Sequence, residues 1–192
     1  MKAYRDIIVF MVTLLIANFF WKYTVIGEED VLQAKVTWFG LNITAPFDWM
    51  CRHISEWAYR IIRLFRDTVS MPRENVIVFA SGAGTSIVWG CSGLKQMFIW
   101  ICLILTAKGG WKHKIWFIPF GLVLCHLFNI LRIALIAMLI EFHPERFDFY
   151  HGFVFKYLFY GMMFLLWVWF IMGIRGEISE SECDTATPAH PS

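Results

Sequence analysis

Residues 7–26 form an almost unbroken apolar run, interrupted only by Asn18 and Lys22. About twenty such residues in a helix rise roughly 30 Å, the thickness of a bilayer's hydrocarbon core. The rest of the chain agrees: of 192 residues, 58% are hydrophobic and 18% aromatic against 17% charged, a balance too apolar for an ordinary soluble domain. The chain therefore reads as an integral membrane protein. A cleaved signal peptide would want a shorter apolar region and a small-residue cleavage site, and Phe19, Phe20 and Trp21 followed by Gly27-Glu28-Glu29 supply neither. Residues 1–26 are read as an N-terminal transmembrane anchor.

Three further apolar runs follow, at residues 94–107, 115–140 and 152–174, so the expected fold is all-α with about four transmembrane helices. Lys2 and Arg5 precede the first run, and Lys108, Lys112 and Lys114 fill the connection between the second and third. The excess of lysine and arginine in short cytoplasmic flanks places both groups inside. Both termini are then cytoplasmic, and residues 27–93 lie outside. Residues 94–174 form a membrane core of three spans, and 175–192 an unstructured cytoplasmic tail. Nucleic-acid binding has no support, because the arginines of residues 46–66 face the outside and interleave with membrane-facing residues.

The external segment is organised. Phe47, Met50, Cys51, Ile54, Ala58, Ile61, Ile62 and Phe65 recur at three- and four-residue steps, with Arg52, Glu56, Arg60 and Arg63 on the other side. That period predicts an amphipathic helix over 46–66, with Pro46 in its first turn, lying on the outer surface or covering the bundle. The β-prone runs NVIVFA and TSIVW, joined by Ser81-Gly82-Ala83-Gly84, predict a hairpin over 74–90 that leads to Cys91. These glycines are not a dinucleotide fingerprint, because Ile87 stands where the third glycine belongs and the chain continues extended.

Cys91 is framed by Gly90, Ser92 and Gly93 and stands just ahead of an apolar helix. Unpaired N–H groups and the positive end of the helix dipole favour a thiolate there. The glycines permit a sharp turn and a close substrate backbone, and Ser92 is a natural N-cap. A small buried apolar residue at a helix start is the plainer reading of the same cysteine. Within the third span lie His126, Asn129 and Arg132. A central arginine costs about 2.5–3.5 kcal/mol on insertion scales, which makes it a functional candidate; pairing with Glu141 or Asp148 is the structural alternative. His126 and Asn129 are supporting residues, since helix-to-helix hydrogen bonding is an ordinary use of such side chains. His151 stands at the outer entrance to the fourth span. Cys91, Arg132 and His151 thus converge from three spans on one side of the membrane. They offer a nucleophile, an oxyanion stabiliser and a proton carrier, the parts that thiol-mediated acyl transfer needs.

The residues CSG at 91–93 after a hairpin, HLFNILR at 126–132 in the form H-x-x-N-x-x-R, and YHGF at 150–153 occur in the order of the exosortase and archaeosortase transpeptidases, a family that the chain resembles over about residues 75–174. The histidine of the third motif is similar to the bacterial exosortase branch, and the chain looks like a short form of larger members that have additional spans. The resemblance implies a membrane enzyme of the inner membrane without a cofactor or metal. Its partners would be secreted proteins bearing a C-terminal signal of short motif, apolar helix and basic cluster, cleaved on the outer side at the membrane lipid. It implies Cys91 as nucleophile forming a thioester, Arg132 as carbonyl or oxyanion clamp, and His151 as acid and base, with an acceptor amine the sequence does not name.

Three rival readings use the same residues. A thiol oxidoreductase would employ Cys51 and Cys91, both external, with a quinone held among the spans; no C-x-x-C pair supports it. A metal site would join Cys91, His126 and His151, although no i, i+4 ligand pair exists. A non-catalytic membrane subunit or transporter piece would use Arg132 to recognise an anion.

Overall fold

A computed structural model of the protein describes residues 2–28 and 34–185. Helices dominate it. Among the described residues three segments are long and apolar enough to cross a membrane: Tyr4–Thr24 within helix α1 (Lys2–Thr24), helix α4 (Trp111–Phe142), and Pro144–Gly173, which takes in the single turn α5 (Phe147–Phe149) and most of which belongs to helix α6 (Phe155–Thr185). The fourth expected span is helix α3 (Leu94–Thr106), whose 13 residues rise only about 20 Å at 1.5 Å per residue, less than a bilayer core. The shared core of this bundle draws Phe10 and Ala17 from α1, Ile99, Trp100 and Leu103 from α3, Cys125 from α4, and Phe159, Met163 and Trp167 from α6.

Local chemistry fixes how the helices meet. Gly121 of α4 leaves a notch for the Trp100 indole: a Cβ there would come within 2.1 Å of the ring, and the indole N–H donates to the Ile118 carbonyl at 3.2 Å. Pro119, inside the same helix, removes one backbone donor beside the notch. Asp6 of α1 is buried and pairs with Lys108 in the α3–α4 connection, and Lys114 Nζ donates to the Leu105 carbonyl at 2.8 Å. These contacts mark one end of the bundle. The last turn of α1, the start of α3 and the outgoing end of α4 mark the other.

Residues between α1 and α3 build a cap on that second end. The expected hairpin is present, with strand β5 (Val76–Phe79) pairing antiparallel to β6 (Gly84–Ser86) in the register Ile77↔Thr85. Strand β4 (Val69–Arg73) extends it to three strands, and a separate small sheet of β1 (Val25–Gly27), β2 (Val36–Trp38) and β3 (Leu41–Asn42) precedes it. Strands of two or three residues leave almost no period-2 signal, so the first sheet has no signature in the sequence. The amphipathic helix is α2 (Thr44–Arg63), and its apolar face covers the bundle: Ile54, Ala58 and Ile62 pack with Ile130, Ile133, Ala134 and Ala137 of α4. Two contacts set its direction. His53 stacks on His126 and Arg66, just past the helix, pairs with Glu141 at 3.5 Å, so α2 runs alongside α4 in the same sense.

At the far end α6 continues to Thr185, past the position where the sequence predicts an unstructured tail from 175; Gly176 alone does not stop a helix among good helix formers. The rest of that expected tail, 186–192, lies outside the described residues.

Candidate active site

The nucleophile candidate sits on a short 3₁₀ turn, Trp89–Cys91, closed by Cys91 N–H to the Val88 carbonyl at 2.8 Å and Ser92 N–H to the Trp89 carbonyl at 3.1 Å. Gly93 then takes a left-handed conformation, φ +76°, and is itself the N-cap of α3. Ser92, expected to cap, instead accepts weakly from Leu94 N–H at 3.4 Å and is buried. The glycine is required twice over: a Cβ would be strained at that φ and would lie 2.8 Å from Asn129 Nδ2.

Asn129, fully buried on α4, fills the space so created. Its amide donates to the Cys91 carbonyl at 2.9 Å, and its oxygen accepts from Arg132 Nη1 at 3.4 Å. Arg132 is 7% exposed, and its Nε is buried with no hydrogen-bond partner among the described residues. The alternative partner Glu141 is taken by Arg66, and the side chain of Asp148 lies outside the described residues. The guanidinium acts electrostatically on the Cys91 sulfur and the Tyr160 hydroxyl.

His151 reaches the thiol from the other side. A π-helical turn, Tyr150–Val154, precedes α6 and carries it; such wide turns aim side chains off the regular helical face. Its ring stacks on Phe147 at 5.1 Å, and Nε2 stands 3.9 Å from Cys91 Sγ. Both residues line a cavity of about 560 Å³, with Trp21 and Lys22 of α1, Gly27 of β1, Trp89 and Gly90 of the turn, and Lys95 of α3. Among the described residues nothing lies within 4 Å of where a Cβ on Gly90 would project, which leaves room beside Cys91 for a ligand backbone.

His126 does not join the group. Its ring stacks on His53 at 5.2 Å, its Nδ1 is buried without a partner among the described residues, and it is not in the cavity lining. A metal reading needed it beside Cys91 and His151. Cys51 does lie close by, but in no disulfide: its thiol donates to the Val88 carbonyl at 3.3 Å, and burial, then the neighbouring Cys91 and Asp48, push it up to about 12. A thiol held protonated in this way is a poor attacking group in exchange, and both cysteines are free. The sequence reading missed Lys22, Lys95 and Trp89 as cavity residues. Trp89 is locked by its indole N–H to the Glu28 carbonyl at 2.8 Å and by close packing on Gly27.

The family model described as transmembrane exosortase (Exosortase_EpsH) matches residues 7–173, nearly the whole chain. The chain belongs to the transmembrane exosortase family. No curated protein and no solved structure matches it. Membership carries a transpeptidase-type role in general terms; in this exosortase chain the thiol and imidazole meet at one cavity, and the guanidinium lies behind the thiol, linked to the Cys91 carbonyl through Asn129.

Proposed function

We propose that the chain is a cysteine transpeptidase that cleaves the C-terminal sorting signals of secreted proteins at the outer surface of the inner membrane, with Cys91 as nucleophile, His151 as acid and base, and Arg132 as the carbonyl and oxyanion clamp. The observation that carries the reading is the 3.9 Å approach of His151 Nε2 to Cys91 Sγ, between residues sixty positions apart in the chain. Contacts of this kind are often long before substrate binds and tighten around it.

The chemistry follows from the placement. His151 takes the thiol proton, and the thiolate attacks the scissile carbonyl, whose electron pair moves onto oxygen as a tetrahedral oxyanion. Arg132, with Nε unpaired among the described residues and Nη1 steadied by Asn129, supplies donors to that oxygen. Collapse breaks the C–N bond, and His151 returns its proton to the leaving amine, leaving the acyl group as a thioester on Cys91. An acceptor amine then attacks, His151 takes its proton, the C–S bond breaks and the thiol is restored. The substrate's own apolar helix would lie in the bilayer beside α3, α4 and α6, so that geometry selects the bond presented at the level of Cys91.

The test is Cys91→Ala expressed beside a matched secreted substrate. Full-length substrate should accumulate in the membrane at an unchanged level of the variant. Normal processing by Cys91→Ala would end the proposal and favour a non-catalytic subunit.

A further inference from the structure

The cavity that holds Cys91 and His151 has a cationic wall that the transpeptidase chemistry does not use. Lys22 on the last turn of α1 and Lys95 in the first turn of α3 both line it, and Lys156 on α6 and Lys22 both act electrostatically on Lys95. Lys95 is half-buried, and among the described residues no carboxylate lies within ion-pair distance of any of the three. Gathering three like charges beside one another is unfavourable unless an anion joins them.

What kind of anion is shown by the rim. Lys22 follows Phe19 and Phe20 and precedes Tyr23, all exposed on α1, while Lys156 sits among Phe153 and Val154 of the preceding turn and Tyr157 and Leu158 of α6, all exposed. Both helices belong to segments long and apolar enough to cross a membrane, so these surfaces face lipid; Lys22 lines the cavity, and Lys156 lies near enough to act on its Lys95. Lysine stems lie along apolar surface while their ammonium groups rise to headgroup level, and Trp21 and Trp89 line the cavity as aromatic groups do at that boundary.

We propose that Lys22, Lys95 and Lys156 hold the phosphate of a phospholipid from the leaflet that the Cys91 end faces, bound beside the nucleophile. The phosphate neutralises the wall, and the glycerol and acyl chains close the cavity on its lipid side, limiting water at the thioester. The placement of that end at the outer surface rests on the transpeptidase reading; the binding itself does not.

Native mass spectrometry of the purified full-length protein in detergent tests the site, with phosphatidylglycerol titrated against diacylglycerol of the same chains, inorganic phosphate and a short acidic peptide. One phosphatidylglycerol should be retained, Lys22→Gln and Lys95→Gln should each weaken it about fivefold, and Lys112→Gln at the opposite end should leave it unchanged. Retention unaltered in both cavity variants overturns the proposal, as does equal competition by diacylglycerol. Displacement by inorganic phosphate at equal concentration would assign the wall to a free anion, and displacement by the acidic peptide would assign it to a peptide carboxylate; either refutes the lipid site. Lys22 is exposed, so Lys22→Gln remains informative should Lys95→Gln fail to fold. Cys91→Ala should retain the lipid while processing nothing, which separates failure of this site from failure of the transpeptidase reading.

Discussion

Arg132 is the side chain whose burial costs most, so its replacement discriminates best between a clamp and an anchor. Lysine keeps the charge and can still reach the boundary, but it lacks the planar fork that grips an oxyanion from two directions. Arg132→Lys should reach the membrane at the parental level and process a matched substrate about 10²–10³ times more slowly, as the loss of an oxyanion donor commonly does. Quantitative blotting of substrate and enzyme together reads this, and processing at the parental rate would make Arg132 an anchor. Cys51 is the contrasting thiol. Because burial raises it from 9.0 to about 12, the folded chain holds that proton more tightly than the unfolded chain does. Its stabilising contribution is complete below pH 9.0 and fades as pH rises through about 12, so stability should fall across that window. Cys51→Ala should process substrate normally, lose about 1 kcal/mol with its bond to the Val88 carbonyl, and flatten the decline; denaturation followed from pH 8 to 11 checks it.

The elements that aim these side chains are less regular than the side chains' spacing suggests. The π-helical turn is in effect one residue more than an α-helix would use, and it carries His151 toward Cys91. Deleting Gly152 should restore α-helical geometry and turn His151 by about 100° relative to α6, so that processing is lost while the protein persists in the membrane. Retained processing would show that the turn does not position the histidine. Such a turn has no sequence signature, and neither has the first sheet, whose strands are too short to alternate. The amphipathic helix and the hairpin were legible because their periods run long enough to count: seven of the eight apolar positions fall in α2, with Phe65 exposed just past its end, and two β-prone runs flank a glycine turn for β5 and β6. The direction of His126 was not. Steps of three residues each turn back about 60°, so His126 and Arg132 differ by about 120° around α4, and one meets α2 while the other meets Asn129 behind Cys91.

Across the molecule, the sequence showed which residues carry chemistry but not which helix faces lie open. Lys22 reads as an interruption of an apolar run; only packing puts it on the same wall as Lys95. The bundle has two chemically distinct ends: Asp6, Lys108 and Lys114 at one, Cys91, Arg132 and His151 at the other. The lysine-rich short connection predicts that the first end is cytoplasmic. A reporter fused after Lys112 should therefore report the cytoplasm and one near Glu145 the outside, and reversed labelling would remove extracytoplasmic sorting as the function. The most direct check of the chemistry is interception of the acyl group itself. With hydroxylamine supplied as a competing amine, substrate cleaved by the parental protein should end in a hydroxamate identified by mass spectrometry, and none should form with Cys91→Ala. A hydroxamate formed by Cys91→Ala, or cleavage by the parental protein that never yields one, would contradict a thioester on Cys91.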